Sequence, residues 1–553
     1  MTTRRAFLAK ASLSVVGVGL AAIPRRTYAI PMTARQPVNR LIPDTVDPET
    51  LRRLARQAIE AAVAAGATYA DIRVSAQRVF KFGGAPQGYD PWEGYAEFTG
   101  GFNCRVRVGA GWATVYSGDL TATTVVQAAQ RAVATARAMS AVTTTPVSWA
   151  PAPVVTGEWA TPIQIDPFTV SPTDQAWLAT ALLEAARRRH DVDSTAIFDW
   201  TSETRVFASS EGSFLTQRLH HARPSVSVEI ISPLFQLHPI KLNVPSIAPC
   251  SAGFECVTGP DRQDAVCQTV DDGLHLGSLS LGELDVGRYE VVVDGTSMAT
   301  LAGETLLPAL ELARAIGDGD RGRSWFGPIE SVLDQPRWND QLTIVSDRTV
   351  PQYGAAKWDD EGVAIDAFPL IDRGVVVNYL STRANLGVLH DWQTKRGGER
   401  SGADGRFTST HGAAVSWSPT HAPMGSTTAV TMVPSPTGLS LEAMVKQVQN
   451  GLVMRTLEAT WGDQGSAGGL GKPLALFIVK KGQLTRRFPH DSGFVQFGAA
   501  RLWSKLAQIG NASTMEGHLC KVLKLEPFAA QVQAVSAPAG HFHEIDIYDP
   551  RKS

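Results

Sequence analysis

Three groups of residues in this sequence are of types and spacings that could do chemistry. Ser297 sits in Gly295-Thr296-Ser297-Met298-Ala299, between an apolar run at 291–293 and a helical pattern, a setting in which a hydroxyl can be presented as a nucleophile. Glu304 and Glu311 follow seven residues apart, and so on one face of a continuous helix. One histidine group could ligate a metal: His541-Phe542-His543-Glu544 would place two imidazoles on one side of a strand. In that strand the adjacent carboxylate, Glu544, points to the opposite face, and a solvent-facing terminal strand accounts for the pattern better than a metal site does. His220-His221 point to opposite faces of a strand and cannot chelate together.

A nucleophilic serine needs a base to take its proton and an acid to orient that base. Residues 295–299 resemble the serine segment of subtilisin-type proteases, but Leu301 stands where those proteins carry proline. The nearest histidine motif, His411-Gly412-Ala413-Ala414-Val415, lacks the second histidine and follows the serine instead of preceding it. No Asp-Ser/Thr-Gly element precedes either one. The stretch therefore reads as a helix start, with Asp294, Thr296 or Ser297 as its N-cap.

Several elements must position these groups. Helical spacing runs over residues 48–66 through Leu51, Leu54, Ala55, Ala58, Ile59 and Ala62, with Gly66 as the stop. Residues 69–79 read as a strand, 83–102 as a Gly- and aromatic-rich insertion, and 104–116 as a hairpin turning at Gly109-Ala110-Gly111. Helices are expected at 121–139, capped by Asp119 or Thr121, and at 173–190, whose Arg187-Arg188-Arg189-His190 end suits the negative pole of a helix. Residues 195–232 alternate as a meander of strands, whereas 246–272 show no clear period. A strand at 289–293 leads into a helix at 298–316 that contains Pro308, where the helix must kink or restart. Further helices are expected near 440–457 and 498–510. The fold class is α+β, with mostly antiparallel sheets, packed helices, an N-terminal α/β domain and a larger β-rich C-terminal domain.

Further segments carry a resemblance. Ala65-Gly66-Ala67-Thr68-Tyr69-Ala70-Asp71-Ile72-Arg73-Val74, Arg105-Val106-Arg107-Val108-Gly109, Gly111-Trp112-Ala113, Asp119-Leu120-Thr121, Ser209-Ser210-Glu211-Gly212, Asp359-Asp360-Glu361-Gly362 and Leu370-Ile371-Asp372-Arg373-Gly374-Val375 occur in this order. In order and spacing they are similar to the TldD/PmbA (modulator of DNA gyrase) metallopeptidase-related family. The resemblance implies that catalytic members carry His-Glu-x-x-x-His on the helix after the 289–293 strand. There the histidines hold a metal and the glutamate acts as general base on metal-bound water. Aligned with that pattern, Gly303 takes the first histidine position, Glu304 the glutamate and Pro308 the second histidine; Ala309-Leu310-Glu311 match the trailing Ala-Leu-Glu. The base position survives, as a working or a vestigial group, and both imidazoles are missing. No metal is therefore expected, with zinc as the alternative. Gly517-His518-Leu519-Cys520-Lys521 resembles the family's late Cys-Gly-Lys segment, making Cys520 either a relic ligand or a buried core cysteine.

The chain has 553 residues, 44% hydrophobic and 19% charged, as a globular protein does. With 51 basic against 53 acidic residues and a net charge of −2, it carries no positive field to hold nucleic acid. Five cysteines, Cys104, Cys250, Cys256, Cys267 and Cys520, with no Cys-x-x-Cys, argue against a full disulfide framework and a zinc knuckle, although one pair within 250–267 could close a loop. Arg4-Arg5 before Phe7-Leu8 and a short apolar run resembles a twin-arginine (Tat) signal, which implies export to the periplasm, and no later stretch reads as a membrane span. The expected organisation is a signal peptide at 1–29, a linker at 30–47, an N-terminal α/β domain at 48–141, a connector at 142–162, a central domain at 163–285 and a metallopeptidase-like domain at 286–553. The family resemblance implies a homodimer, or a heterodimer with a catalytic TldD-like subunit, acting on peptides. The expected role is a non-catalytic subunit that supports proteolysis by a partner. The alternatives are a hydrolase with a noncanonical site and a peptide-binding protein without cleavage.

Overall fold

The computed structural model describes residues 28–30, 47–84, 93–143, 149–190, 192–230, 239–259, 261–283, 285–317, 323–395, 409–462, 467–488, 494–524 and 529–548. The expected signal segment therefore lies outside the described residues except for Tyr28 and Ala29.

Long antiparallel strands build the first sheet. β2 (Tyr69–Gly84) pairs along its length with β3 (Glu93–Val108) on one side and β6 (Asp193–Ser209) on the other. β3 also carries β1 (Tyr28–Ile30) and β4 (Gly111–Ser117), and β7 (Phe214–Ala222) pairs with β6 and with β5 (Thr156–Ala160). β8 (Ser225–Ile230) and β9 (Ile240–Asn243) extend the sheet from the start of β6. Helices α1 (Pro48–Ala64) and α2 (Ala122–Ser140) bury Leu51, Leu54, Val125 and Val133 against Ile72 and Phe102 of the sheet. Side-chain oxygens of Asp47 and Thr121 accept from the backbone of Thr50 and Thr124 and cap these two helices. A second core holds α3 (Pro172–Arg189) and α4 (Asp261–Gly277) against Phe198, Trp200 and Val228.

Two further sheets follow. One has seven strands, in the order β10 (Gly287–Val293), β17 (Asn450–Gly462), β18 (Gly468–Lys480), β20 (Phe494–Gly498), β24 (Gly540–Tyr548) and β21 (Leu506–Ile509), with β19 (Gln483–Arg487) on β18 and an additional pairing of β10 with β24. The other has six, in the order β13 (Val375–Val376), β12 (Phe368–Asp372), β11 (Ile344–Ser346), β16 (Ala429–Met432), β23 (Ala529–Ala537) and β22 (Glu516–Lys524). β14 (Ala414–Val415) and β15 (Met424–Gly425) form a separate ribbon. Helix α5 (Gly295–Ala309) packs against β17 of the first of these sheets and against β22 and β23 of the second. Every residue of α5 except Glu304 is buried, and its buried hydroxyls, on Thr296, Ser297, Thr300 and Thr305, are all hydrogen-bonded.

Six local expectations are corrected. Residues 93–102 form the first part of β3 and are no insertion, because pairing with β2 overrides the low strand propensity of their glycines. The 142–162 connector contains β5. The unassigned 246–272 region holds most of α4, whose buried positions Val266, Thr269, Val270, Gly273 and Leu276 do have helical spacing but include Thr and Gly, which weaken the apolar signal. The helix expected at 440–457 is α7 (Leu441–Gln447) followed by β17, and that at 498–510 is α8 (Ala499–Ser504) followed by β21. A strand buried on both faces, like Leu452-Val453-Met454, is as continuously apolar as a core helix. The helix expected at 298–316 breaks into α5 and α6 (Leu312–Ile316). Pro308 has no N–H to donate, the turn closes at Leu310, and Leu312 N donates to Leu380 O at 2.8 Å.

Candidate functional site

The α5 helix begins where β10 ends. Asp294 accepts a hydrogen bond from Ser297 N at 2.8 Å through one oxygen and from Thr456 N at 2.9 Å through the other, so it is the N-cap and ties the helix to β17. Ser297 is fully buried, and its hydroxyl accepts from Leu457 N at 3.0 Å. That hydroxyl holds two backbones together, and His411 hydrogen-bonds Asp366 instead of reaching it.

Two turns on, Glu304 is the one residue of α5 that is not buried. Burial pushes its carboxyl up from 4.5 to about 7, in the range where a carboxylate can serve as acid or base near neutrality. Among the described residues, no group of three His, Cys, Asp or Glu ligand atoms gathers around it. A Cβ on Gly303 would stand 2.5 Å from the Cys520 sulfur and 2.8 Å from its Cβ. The thiol thus occupies the space an imidazole at 303 would need. Cys520 is buried, its thiol is pushed up by burial and by Glu304, and its sulfur donates to Ala299 O at 3.4 Å. Pro308 is buried and offers no ligand atom. The residues present do not fit a zinc ion of the pattern the resemblance implies: Glu304 and Cys520 share the place, and both imidazoles are absent. Glu311 does not join Glu304 on one helical face, because the break at 310 turns it into a buried ion pair with Arg314 at 3.0 Å.

The N-terminal end of α5 opens on a cleft. Two cavities, of about 220 and about 540 Å³, share Asp294, Arg455 and Glu516 in their walls. Glu516 accepts from Thr296 N and from its hydroxyl, both at 2.8 Å, and burial together with Asp294 raises its carboxyl to about 7. β22, which carries Glu516, His518 and Cys520, pairs with β23 alone among the described residues, and its Gly517-His518-Leu519 stretch lines the smaller cavity. His518 is held below its ordinary value by burial. His541 and His543 lie elsewhere, on β24, whose Phe542 packs into the core around α5 while the histidines point to the other face. The sequence offered no signal for Glu516, since its approach to Asp294 depends on the long-range packing of β22 beside α5.

The segments that carried the resemblance converge on a different place. Asp71 receives Arg105 in a bidentate pair at 2.9 and 2.5 Å, and Arg105 reaches Glu361 at 2.6 Å. Arg205 and Arg73 hold Asp360 at 2.6 and 3.3 Å. Asp359 accepts backbone hydrogen bonds from Glu361, Val363 and Ala414. Arg383 reaches Glu211 at 3.2 Å, and its own N–H donates to Glu361. The left-handed turn at Gly362 (φ +77°) lies against Phe207, where a Cβ would come within 2.4 Å of the ring. Apart from the exposed Glu211 this network is buried, and it joins the first sheet to the 359–363 turn, so its role is to hold the halves together.

Comparison with known proteins agrees with this architecture. Residues 286–522 match the sequence profile of the PmbA/TldA metallopeptidase C-terminal domain. No curated protein matches the sequence. Among solved structures, a Thermotoga maritima protein described as a modulator of a DNA gyrase superposes with a TM-score of 0.64 at 12% identity, covering 90% of this chain and 99% of that one. TldE from Thermococcus kodakarensis gives 0.64 at 13% identity over 90% and 99%. A Bacteroides thetaiotaomicron protein described as a modulator of DNA gyrase gives 0.61 at 14% over 90% and 98%. These likenesses show a shared fold. Residues 286–522 thus belong to the PmbA/TldA metallopeptidase C-terminal domain family, and the chain shares the α+β fold of these solved structures.

Proposed function

We propose that this chain is a non-catalytic TldD/PmbA member that presents peptides for a catalytic partner. The observation that carries the reading is the Cys520 sulfur 2.5 Å from where a Cβ on residue 303 would lie, with Pro308 at the other histidine position. One carboxylate and one buried thiol make a weak seat for a borderline ion. The edge of β22, unpaired among the described residues, and the cleft beside Asp294 and Glu516 supply what an extended peptide needs, strand backbone and a side-chain pocket. The partner is a second copy or a catalytic TldD-like subunit, and no cofactor is needed at α5. Arg4-Arg5 would direct the chain across the inner membrane by the Tat route, and no helix among the described residues is long and apolar enough to cross a membrane. Changing Arg4 and Arg5 together to Lys, followed by cell fractionation, tests that route.

The purified chain should hydrolyse no peptide alone and should raise the turnover of a catalytic homologue mixed with it. Activity of the chain alone that is lost in Glu304→Gln would reject the proposal. It would favour a second reading, a hydrolase with a noncanonical site, which the carboxyl of Glu304 near 7 supports. Peptide binding without activation of any partner would leave a binding protein.

A further inference from the structure

β10 and β24 run antiparallel with a slip in register: Tyr289 faces Ile545, whereas Val291 faces Phe542. Glu290 is therefore opposed by two residues, His543 and Glu544, as in a β-bulge. Val292 pairs with His541, so Glu290, two residues before Val292, shares a sheet face with His541. His543, two residues on, joins them. One ligand atom from each of Glu290, His541 and His543 lies within 4.8 Å of the other two. His541 Nε2 and Glu290 Oε1 are 2.8 Å apart, and the two imidazole rings stand 5.8 Å apart at 64°. His541 is buried, Glu290 half-buried and His543 exposed. The other ring nitrogen of His541, Nδ1, is buried without a hydrogen-bond partner. Neighbouring cations are engaged by other carboxylates: Arg501 and Lys505 reach Glu544 at 2.7 and 3.4 Å, and Arg288 reaches Asp546 at 3.2 Å.

We propose that Glu290, His541 and His543 form a site for a borderline divalent transition-metal ion, zinc foremost. Zinc takes imidazole nitrogen and carboxylate oxygen at about 2.0–2.2 Å, which sets tetrahedral ligand atoms roughly 3.4 Å apart. The observed separations, from 2.8 Å to at most 4.8 Å, bracket that value. Closing on an ion takes a rotation of the exposed His543 ring and a small opening of the Glu290–His541 contact. Two imidazoles with one carboxylate suit zinc, and a magnesium or calcium ion would want more oxygen ligands. Three protein ligands leave a fourth position for water. The ion would staple the last described strand to the strand that feeds α5, on the sheet face turned away from Glu304. The site is thus independent of the peptide-presenting role proposed above.

The tag-free chain, stripped with a chelator and titrated with zinc against a chromophoric competitor, should take up one ion per chain. Cobalt in its place should give the visible bands of a four-coordinate ion. His543→Ala alters an exposed side chain and leaves the packing alone. It should weaken binding by more than the roughly tenfold that loss of an outer-shell partner costs. Glu290→Gln should do the same, while Glu304→Gln and Cys520→Ala leave zinc affinity unchanged. No saturable uptake, or equal affinity in His543→Ala and the parent chain, overturns the site and leaves the proposed function standing. Loss of the ion in Glu304→Gln instead places it at α5 and overturns both.

Discussion

Replacing Gly303 by alanine sets two known effects against each other. In an exposed helix interior the change gains about 1 kcal/mol, because glycine is the costlier residue to order. Here the new methyl would sit 2.5 Å from the Cys520 sulfur and 2.8 Å from the Cys520 Cβ, against ordinary carbon contacts of about 3.5–4.0 Å. Neither partner is the far end of a flexible chain: Cys520 is buried and its backbone pairs with Gln533 in β23. Separating the atoms therefore moves β22 against α5 by about 1 Å. Overpacking of this kind costs about 1–3 kcal/mol, and the upper end applies where a Cβ meets a Cβ. The net expectation is a loss of about 2 kcal/mol in the local opening free energy of α5, read from amide hydrogen exchange. In a Cys520→Ala background the sulfur is gone and only the Cβ contact remains, so the penalty should fall by about 1 kcal/mol as a coupling energy between the two sites. Greater protection of α5 in Gly303→Ala than in the parent would mean that the helix has room beside residue 303, and the argument against an imidazole there would fail.

Other expectations follow from the same contacts. Arg105→Ala leaves Asp71 and Glu361 as buried unpaired charges and should cost about 3–5 kcal/mol in chemical denaturation; a cost below about 1 kcal/mol would contradict the role given to the network. Glu516 has a folded-state value near 7 against an ordinary 4.5. Between those values the unfolded chain gives up a proton that the folded chain keeps, so this group makes stability fall as pH rises through the window and adds no slope outside it. Glu516→Gln should remove that slope in urea titrations, and an unchanged slope would show that the carboxyl ionises normally. The thiols of Cys250 and Cys256 lie within hydrogen-bonding reach of each other; diamide, accepting two electrons and both protons, should join them, leaving two fewer titratable thiols, and a Cys256→Ser chain should lose none.

Much of the fold was legible because its signals are local. The helix at 48–64 was read from its apolar spacing and Gly66, that at 122–140 from Thr121 at its start and that at 172–189 from its basic end, and the hairpin of β3 and β4 from alternation about a Gly-Ala-Gly turn. Elements whose identity is set by distant partners were not legible. β17 is buried on both faces and reads like a helix, and α4 uses Gly273 on its core face so that Ile230 can approach. At the candidate site, Gly303, Glu304, Pro308 and Cys520 were visible by alignment with a motif. That the Cys520 sulfur fills the space beside Gly303 requires β22 to cross α5, which no spacing encodes. Glu290 beside His541 was hidden for the same reason, since the two residues are brought together by pairing between β10 and β24.

The account rests on α5 having no seat for a metal. Zinc soaked into crystals of the chain and located by anomalous scattering tests this directly. The account predicts no peak within bonding distance of Glu304 or Cys520, and a peak at Glu290, His541 and His543. A peak bridging the Glu304 carboxylate and the Cys520 sulfur would contradict it.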